Sequence, residues 1–159
     1  MANDTPADTT SLSIRLARPA DADAVLALVD DAYGHYVARI GKPPAVMLDD
    51  YGRRIADNQA WVSEERGRIV GLLVLEDKPS HLLLDNVAVA PAMQGRGIGQ
   101  SLIAFAECEA RRRGFDEIQL YTHALMTENI ALYGRLGFKQ IRRVQEQGYD
   151  RIYMGKLVP

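Results

Sequence analysis

Three glycines alternate with other residues in the segment QGRGIG, residues 94–99. The apolar run LLLDNVAVAP precedes this segment and the amphipathic run SLIAFAECEARRRG follows it, a pattern that predicts a strand, a tight turn and a helix. Because glycine has no Cβ atom, the backbone N–H groups of such a turn can converge on one small space at the positive end of the helix dipole. We therefore expect the segment to bind an anion such as a phosphate or pyrophosphate. The alternative is a strand-to-helix turn that binds no ligand.

The spacing of the glycines argues against two common nucleotide-binding loops. A P-loop requires a Lys followed by Ser or Thr after its last glycine, and the segment contains no such pair. A dinucleotide-binding fingerprint, G-x-G-x-x-G, would need a glycine where Gln100 or Leu102 stands. A protein that binds ATP or NAD is therefore a poor fit.

One carboxylate, Asp85, interrupts the apolar run that leads into the glycine segment. Burying an ionised acid without a partner is costly, so an acid at this position is a candidate for proton chemistry. The alternative is an aspartate at a strand edge that is exposed to solvent. The next residue, Asn86, is expected to point to the opposite face of the strand.

The remaining reactive side chains offer no second site. Cys108 is the single cysteine and falls in the middle of a predicted helix, where we expect it to be buried and not to act as a nucleophile. The three histidines are scattered without the spacing of metal ligands. We therefore expect no bound metal.

The composition indicates an ordinary globular domain. The chain has 159 residues, of which 47% are hydrophobic and 25% are charged, and its net charge of −2 provides no field that would attract nucleic acid. No apolar run reaches the roughly 18 residues that a membrane span requires. The first residues, MANDTPADTTS, lack the basic and apolar regions of a signal peptide. We expect a flexible tail over residues 1–11, a single domain over 12–159, and a cytoplasmic protein that binds neither nucleic acid nor membranes.

Hydrophobic periodicity predicts a mixed order of elements, β, α, α, β, β, β, α, β, α, β, β. The predicted strands cover residues 13–18, 61–64, 68–75, 81–90, 116–122, 138–143 and 151–157. The predicted helices cover residues 21–36, 48–55, 99–113 and 127–136. This order favours a mixed sheet with helices on both faces.

Two motifs in this order carry a family resemblance. The first is Q-x-x-G-x-G, formed by Gln94, Gly97 and Gly99 after the strand end V-A-V-x-P, and the second is NIALYGRLGF. Together they resemble the GNAT superfamily of acyl-CoA-dependent N-acyltransferases. The resemblance extends from Ile14 to Leu157 and implies an α/β (α+β) fold. In this GNAT fold a mixed, mostly antiparallel sheet of six to seven strands splays between its fourth and fifth strands.

The resemblance implies acetyl-CoA as the co-substrate and identifies the residues that hold it. In the family, the glycine loop holds the CoA pyrophosphate and the splayed strand pairs with the amides of the pantetheine arm. A side chain from the second motif also contacts the CoA chain. The matching cofactor-binding positions are Val87, Ala88, Val89, Gln94, Gly95, Arg96, Gly97, Ile98, Gly99, Gln100 and Asn129.

The resemblance also implies roles in the chemistry of acyl transfer. Tyr133 matches the tyrosine that protonates the departing thiolate, and it lies four residues after Asn129, on the same face of the predicted helix. Asp85 stands where many members carry the glutamate that receives the amine proton, and a relayed water or a substrate-binding role is equally open for the shorter side chain. The first helices line the acceptor pocket in the family. The matching candidates for substrate contact are Tyr33, Tyr36, Arg39 and Tyr51.

These expectations combine into one leading function. The chain is predicted to be an N-acetyltransferase that moves the acetyl group of acetyl-CoA to a primary amine by direct nucleophilic attack. The acceptor is a small molecule or a peptide, and a homodimer is possible. The alternative is a non-catalytic acyl-CoA-binding regulatory module with the same fold. The acceptor itself stays open, because loops build its pocket.

Overall fold

The computed structural model describes residues 12–159, which form one seven-stranded sheet covered by helices. The tail predicted for residues 1–11 lies outside the described residues. The strands are β1 (Leu12–Leu16), β2 (Ala60–Glu65), β3 (Arg68–Asp77), β4 (Leu82–Val89), β5 (Glu117–His123), β6 (Lys139–Glu146) and β7 (Tyr149–Leu157). The α-helices are α1 (Ala22–Tyr33), α2 (Tyr36–Ile40), α3 (Tyr51–Ala56), α4 (Ile98–Arg112) and α5 (Thr127–Arg135). The helix predicted for residues 21–36 is thus divided, and α2 is a separate short helix.

The sheet has the strand order β1-β2-β3-β4-β5-β7-β6. Its neighbouring strands pair antiparallel, except that β4 and β5 pair parallel, with α4 as the connection between them. A parallel pair needs such a crossover because its two strands run in the same direction. The predicted mixed, mostly antiparallel sheet is confirmed.

Helices cover both faces of the sheet, as predicted. On one face, apolar residues of α4 such as Leu102 and Ala106 pack with Leu84 of β4 and Ile118 of β5. On the other face, α1 and α3 pack against the alternate residues of β2, β3 and β4, among them Leu72. The strands at the centre of the sheet are therefore apolar on both sides, which explains the continuous apolar run of β4 in the sequence.

The β4–β5 pair opens after three residues. Leu82, Leu83 and Leu84 pair with β5, whereas the rest of β4 has no partner strand on that side. At the same point β4 contains a bulge, because Leu84 and Asn86 pair with consecutive residues of β3 and leave Asp85 as the extra residue. A bulge bends the strand that carries it. The predicted splay between the fourth and fifth strands is confirmed.

The bulge overturns one expectation about side-chain direction. The prediction that Asp85 and Asn86 point to opposite faces is wrong, because the extra residue interrupts the alternation of the strand. Both side chains bond to α3: Arg54 donates to Asp85, and Asn86 donates to the Tyr51 hydroxyl.

The expectation that Cys108 is buried is also wrong. Cys108 is exposed, because the buried stripe of α4 runs through Leu102, Ala106 and Ala110. At 3.6 residues per turn, the cysteine lies on the opposite side of the helix from that stripe. Whether a residue of an amphipathic helix is buried therefore depends on the side of the helix on which it lies, and not on its distance from the helix ends.

Gly71 of β3 allows α4 to lie close to the sheet. A Cβ atom at this position would lie 3.0 Å from Leu102 Cδ1, 3.0 Å from Ser63 Cβ and 3.2 Å from Ile98 Cγ2. We predict that Gly71→Ala lowers the free energy of unfolding by about 1–3 kcal/mol, because a fully packed core must shift to admit the methyl group. Chemical denaturation measures this change.

Gly134 provides the matched control. It lies in α5, and a Cβ atom there would meet nothing within 4 Å. Gly134→Ala should leave stability unchanged or raise it by up to about 1 kcal/mol, because alanine is the better helix former. Equal effects of the two substitutions would contradict the packing role of Gly71.

Candidate functional site

The backbone of β4 turns alternate residues toward the opening beside β5. The Ala90 amide donates to the Val70 carbonyl at 2.9 Å, so Ala90 and Val70 are a hydrogen-bonded pair. With the register of β3 and β4, this bond identifies the other hydrogen-bonded pairs of the ladder. Because these pairs alternate in an antiparallel ladder, Ala88 bonds to β3, whereas the N–H and C=O groups of Val87 and Val89 point into the opening. Of the three positions predicted to pair with an extended ligand, Val87 and Val89 therefore offer backbone groups, and Ala88 does not.

Two side chains already reach these backbone groups. The Tyr33 hydroxyl lies 2.9 Å from the Val87 carbonyl oxygen and 2.6 Å from Asn86 Oδ1, and it can donate its proton to either. The Gln94 side-chain amide approaches the Val89 carbonyl oxygen at 3.5 Å. The protein's own side chains thus supply hydrogen bonds to the carbonyl oxygens that face the opening.

The glycine loop joins β4 to α4 in a conformation that requires glycine. Gly95 and Gly97 have φ angles of +80° and +81°, and a Cβ atom at either would meet nothing within 4 Å. Gly97 is the N-cap of α4. The loop therefore presents bare backbone at a helix N-terminus, the arrangement that binds phosphate groups.

Arg96 of this loop contacts two neighbouring side chains. Its guanidinium contacts Met93 Sδ at 3.3 Å and Glu65 Oε2 at 3.6 Å, and its side chain is 59% exposed. The assignment of Arg96 to the cofactor-binding residues stays a prediction. The backbone N–H groups of the loop are the donors that the glycine conformation exposes.

A groove of about 760 Å³, here called the loop groove, runs from the glycine loop to α5 along the open edge of β4. It brings together most of the residues that the sequence predicted, from both motifs and from the first two helices. Those residues are Tyr33, Tyr36, Arg39, Val87, Ala88, Val89, Gln94, Gly95, Gly97, Ile98, Gly99, Gln100, Asn129 and Tyr133.

Two smaller cavities adjoin the loop groove one after the other. The junction cavity, about 40 Å³, shares Tyr33, Val87, Asn129 and Tyr133 with the loop groove. The outer cavity, about 330 Å³, shares a second set with the junction cavity: Ala45, Val46, Asp85, Tyr121, Tyr149 and Arg151. The three spaces therefore adjoin one another at the opening between β4 and β5.

Tyr133 stands at the point where the loop groove meets the junction cavity. It is buried, and its hydroxyl makes no hydrogen bond with another side chain or backbone group in residues 12–159. Burial raises the pKa of Tyr133 well above its ordinary value, so the hydroxyl is protonated at neutral pH. Such a group can donate a proton to a ligand atom that reaches the junction. Asn129 lines the same two spaces, one helical turn earlier.

Asp85 is buried in a hydrogen-bonded cluster, which excludes the solvent-exposed alternative. Tyr121 donates its hydroxyl to Oδ1 at 2.9 Å, and Arg54 Nη2 donates to Oδ2 at 3.2 Å. Burial raises the pKa of Asp85, while the charge of Arg54 and the Tyr121 hydrogen bond oppose that rise. The carboxylate is therefore held near the junction by two partners that leave it able to gain or lose a proton.

Sequence reasoning missed both partners of Asp85. Tyr121 alternates along β5 with the core residue Leu120, and this alternation was a usable signal for its direction. Arg54 gave no such signal, because only the folded chain brings α3 to the bulge. It also bonds to Asp49 at 2.9 Å and to Glu76 at 3.2 Å, so one guanidinium gathers three carboxylates.

The residues predicted to contact an acceptor divide into two groups. Tyr36 donates its hydroxyl to Glu128 Oε2 at 2.8 Å, and Arg39 pairs with Glu128 Oε1 at 2.7 Å. These two side chains tie α2 to the start of α5 along the loop groove. Tyr51 lies outside the three spaces, buried, with its hydroxyl between Asn86 and the Val46 carbonyl. A structural role therefore accounts for Tyr51.

No group of three or more His, Cys, Asp or Glu side chains in residues 12–159 is arranged to hold a metal ion. None of the helices in the described range is both long and apolar enough to cross a bilayer.

Comparison with known proteins gives one family. The family model described as the acetyltransferase (GNAT) family matches residues 23–138. The N-acetyltransferase YjgM of Escherichia coli is 36% identical over 85 residues, and the match covers 51% of this chain and 51% of YjgM. The chain thus aligns with about half the length of this relative.

Solved structures share the fold over nearly the whole chain. The PaiA N-acetyltransferase of Thermoplasma acidophilum, solved in complex with coenzyme A, has a TM-score of 0.78 at 18% identity. The superposition covers 93% of this chain and 99% of PaiA. The yncA protein of Salmonella typhimurium, solved with acetyl-CoA, has a TM-score of 0.68 at 25% identity and covers 94% and 95% of the two chains.

The pairing of Arg54 with Asp85 can be tested without an assay of activity. We predict that Arg54→Met raises the pKa of Asp85 further, because the opposing positive charge is removed while the burial remains. The carboxyl carbon of Asp85, followed by NMR as a function of pH, reports this pKa.

Arg53 provides the control on the same helix. Its side chain is 80% exposed and lies 3.7 Å from Asp57, so Arg53→Met should leave the pKa of Asp85 unchanged. If Arg54→Met left the pKa of Asp85 unchanged or lowered it, the ion pair would not be what holds this carboxylate.

Proposed function

Because the chain belongs to the acetyltransferase (GNAT) family, we propose that it transfers the acetyl group of acetyl-CoA to a primary amine by direct attack of the amine on the thioester. The observation that carries this proposal is the path through the opening between β4 and β5. A donor in the loop groove and an acceptor in the outer cavity would meet at the junction cavity, beside Tyr133 and Asp85. Holding two reactants in contact in this way is a large part of catalysis.

The loop groove fits the chemistry of CoA. The pyrophosphate binds to the backbone donors of the glycine loop at the start of α4, where the positive φ angles of Gly95 and Gly97 expose the N–H groups. The amides of the pantetheine arm pair with Val87 and Val89, whose backbone groups face the opening. Asn129 is within the same groove and can bond to a polar group of the arm.

The side chains at the junction take complementary parts in the reaction. Acetyl-CoA supplies an activated acetyl group; the amine nitrogen forms a bond to its carbonyl carbon while the bond from carbon to sulfur breaks. Asp85 accepts the proton of the amine, directly or through a water, and Tyr133 donates its proton to the departing sulfur.

A second candidate is an acyl-CoA-binding module without catalytic activity. The pairing of Asp85 with Arg54 favours it, because a carboxylate held in an ion pair can be purely structural. The experiment that separates the two functions combines calorimetry with CoA and release of free CoA thiol from acetyl-CoA with a broad panel of amines. Binding with thiol release supports the enzyme, and binding without release across the panel supports the module. Absence of binding contradicts both.

Three broader expectations stay predictions: a single acyltransferase domain over residues 12–159, a cytoplasmic location and a homodimer. Size-exclusion chromatography with light scattering measures the last of these directly.

Replacement of Tyr133 by Phe tests its proposed role. The substitution removes one hydroxyl that has no hydrogen-bond partner within the described residues 12–159, so the fold and the affinity for CoA should be unchanged. We predict that kcat falls by about 100-fold or more, because the thiolate then leaves without a proton donor. Thiol release under saturating donor and acceptor measures kcat. Unchanged turnover would remove Tyr133 from the mechanism.

A further inference from the structure

Arg151 of β7 is a cation at the acceptor end of the path that the mechanism above does not use. Its side chain is 10% exposed, and it lines both the junction cavity and the outer cavity. Within residues 12–159 its guanidinium makes one hydrogen bond, to Glu146 Oε1 at 3.1 Å. A guanidinium has five N–H donors, so most of the donors of Arg151 lack a hydrogen-bond partner in the described part of the chain.

Aromatic rings fix the orientation of Arg151. Its guanidinium lies 4.5 Å from the centre of the Tyr121 ring and 5.8 Å from the centre of the Tyr149 ring. Such contacts hold the planar fork of an arginine while leaving its edges free to bond. A buried charge with unused donors is costly unless a ligand completes its hydrogen bonds.

The other charged residues that line the outer cavity have the opposite net charge. Asp85, Asp49 and Arg54 together carry one negative charge in excess, which Arg151 would otherwise balance. Glu76, the third partner of Arg54, is also paired with Lys78 at 2.9 Å. A positively charged amine is the natural guest at this end.

The phenol of Tyr121 sets the separation between the two ends. Its hydroxyl bonds to Asp85 while its ring supports Arg151, so the carboxylate and the guanidinium flank one side chain. Glu146 balances the charge of Arg151 from outside, because it lines neither the junction cavity nor the outer cavity. The lining of the path thus contains a carboxylate, Asp85, and a guanidinium, Arg151, that both contact the side chain of Tyr121.

We propose that the acceptor is a free amino acid, with its amine directed to Asp85 and its carboxylate bound by Arg151. This inference rests on the proposed acetyl transfer and narrows its acceptor to a small zwitterion. A peptide N-terminus fits less well, because its first carboxyl group is an amide and brings no charge to Arg151. A simple amine leaves the donors of Arg151 unsatisfied.

The first test uses the unmodified protein and sets of acceptors that differ only in the carboxylate. L-Phenylalanine is compared with L-phenylalaninamide and 2-phenylethylamine, and L-leucine with L-leucinamide and 3-methylbutylamine, by thiol release from acetyl-CoA. At least one of the two amino acids should have a kcat/KM that exceeds those of its two partners by roughly 10- to 100-fold, the effect of one hydrogen-bonded charge pair. The amide has the less basic amine, so more of it is unprotonated and ready to attack at neutral pH. Its intrinsic reactivity would therefore favour the amide and not the amino acid.

The second test locates the effect in Arg151. Arg151→Gln should abolish the advantage of the amino acid, mainly by raising its KM, when the amino acid is compared with its amide and its simple amine on the same variant. Arg142→Gln is the matched control. Arg142 stacks on Tyr153 at 4.0 Å, on the neighbouring strand, and lines none of the three spaces, so this variant should keep the advantage.

The outcomes separate the inference from the proposed function. Acetylation of the amines or amides with no advantage for either amino acid overturns the inference and leaves the acetyltransferase function standing. Retention of the advantage in Arg151→Gln also overturns it, because the carboxylate is then bound elsewhere. If no acceptor of any kind releases thiol although CoA binds, both the inference and the proposed catalysis are wrong.

Discussion

The loss of pairing between β4 and β5 is the constraint on which the rest of this structure depends. After Leu84 the two strands separate, and one edge of a central strand is left without a partner. Unpaired backbone groups in a protein interior cost about 1–3 kcal/mol each, so an opening of this kind needs compensation. The same groups can recognise a ligand that carries amides of its own. The unpaired backbone groups of the opening therefore lower stability and, at the same time, provide the hydrogen-bonding groups that a ligand can use.

A buried polar cluster holds the opening in place. The bulge at Asp85 directs two successive polar side chains to one face, where Arg54 and Tyr121 bond to the carboxylate and Tyr33 and Tyr51 bond to the Asn86 amide. These contacts connect β4 to α1, α3 and β5 at the point where the ladder ends. Because every member has a partner, the cluster stabilises a bent strand that the backbone alone would not maintain. Asp85, the proposed proton acceptor, thus also helps to stabilise the bent strand.

The sequence predicted the parts of this arrangement that are local. The order of helices and strands along the chain follows from periodicity, and the glycine loop from the spacing of Gly97 and Gly99, because both depend on residues close together in the chain. Asn129 and Tyr133 were placed on one face by their four-residue spacing, which the structure reproduces along the loop groove. The rest could not be predicted, because it depends on contacts between distant segments. Arg54 reaches the bulge only after α3 packs on the sheet, and no pattern marks a bulge that inserts a single residue.

Hydrogen exchange of the backbone amides tests the central claim most directly, since the claim concerns the N–H groups of three successive residues. In the free protein, the Val87 and Val89 amides should exchange quickly and the Ala88 amide slowly, because Ala88 alone bonds to β3. Addition of CoA should slow the exchange of Val87 and Val89 and leave Ala88 unchanged. If CoA binds and the Val87 and Val89 amides continue to exchange quickly, the open edge of β4 is not where the donor is held.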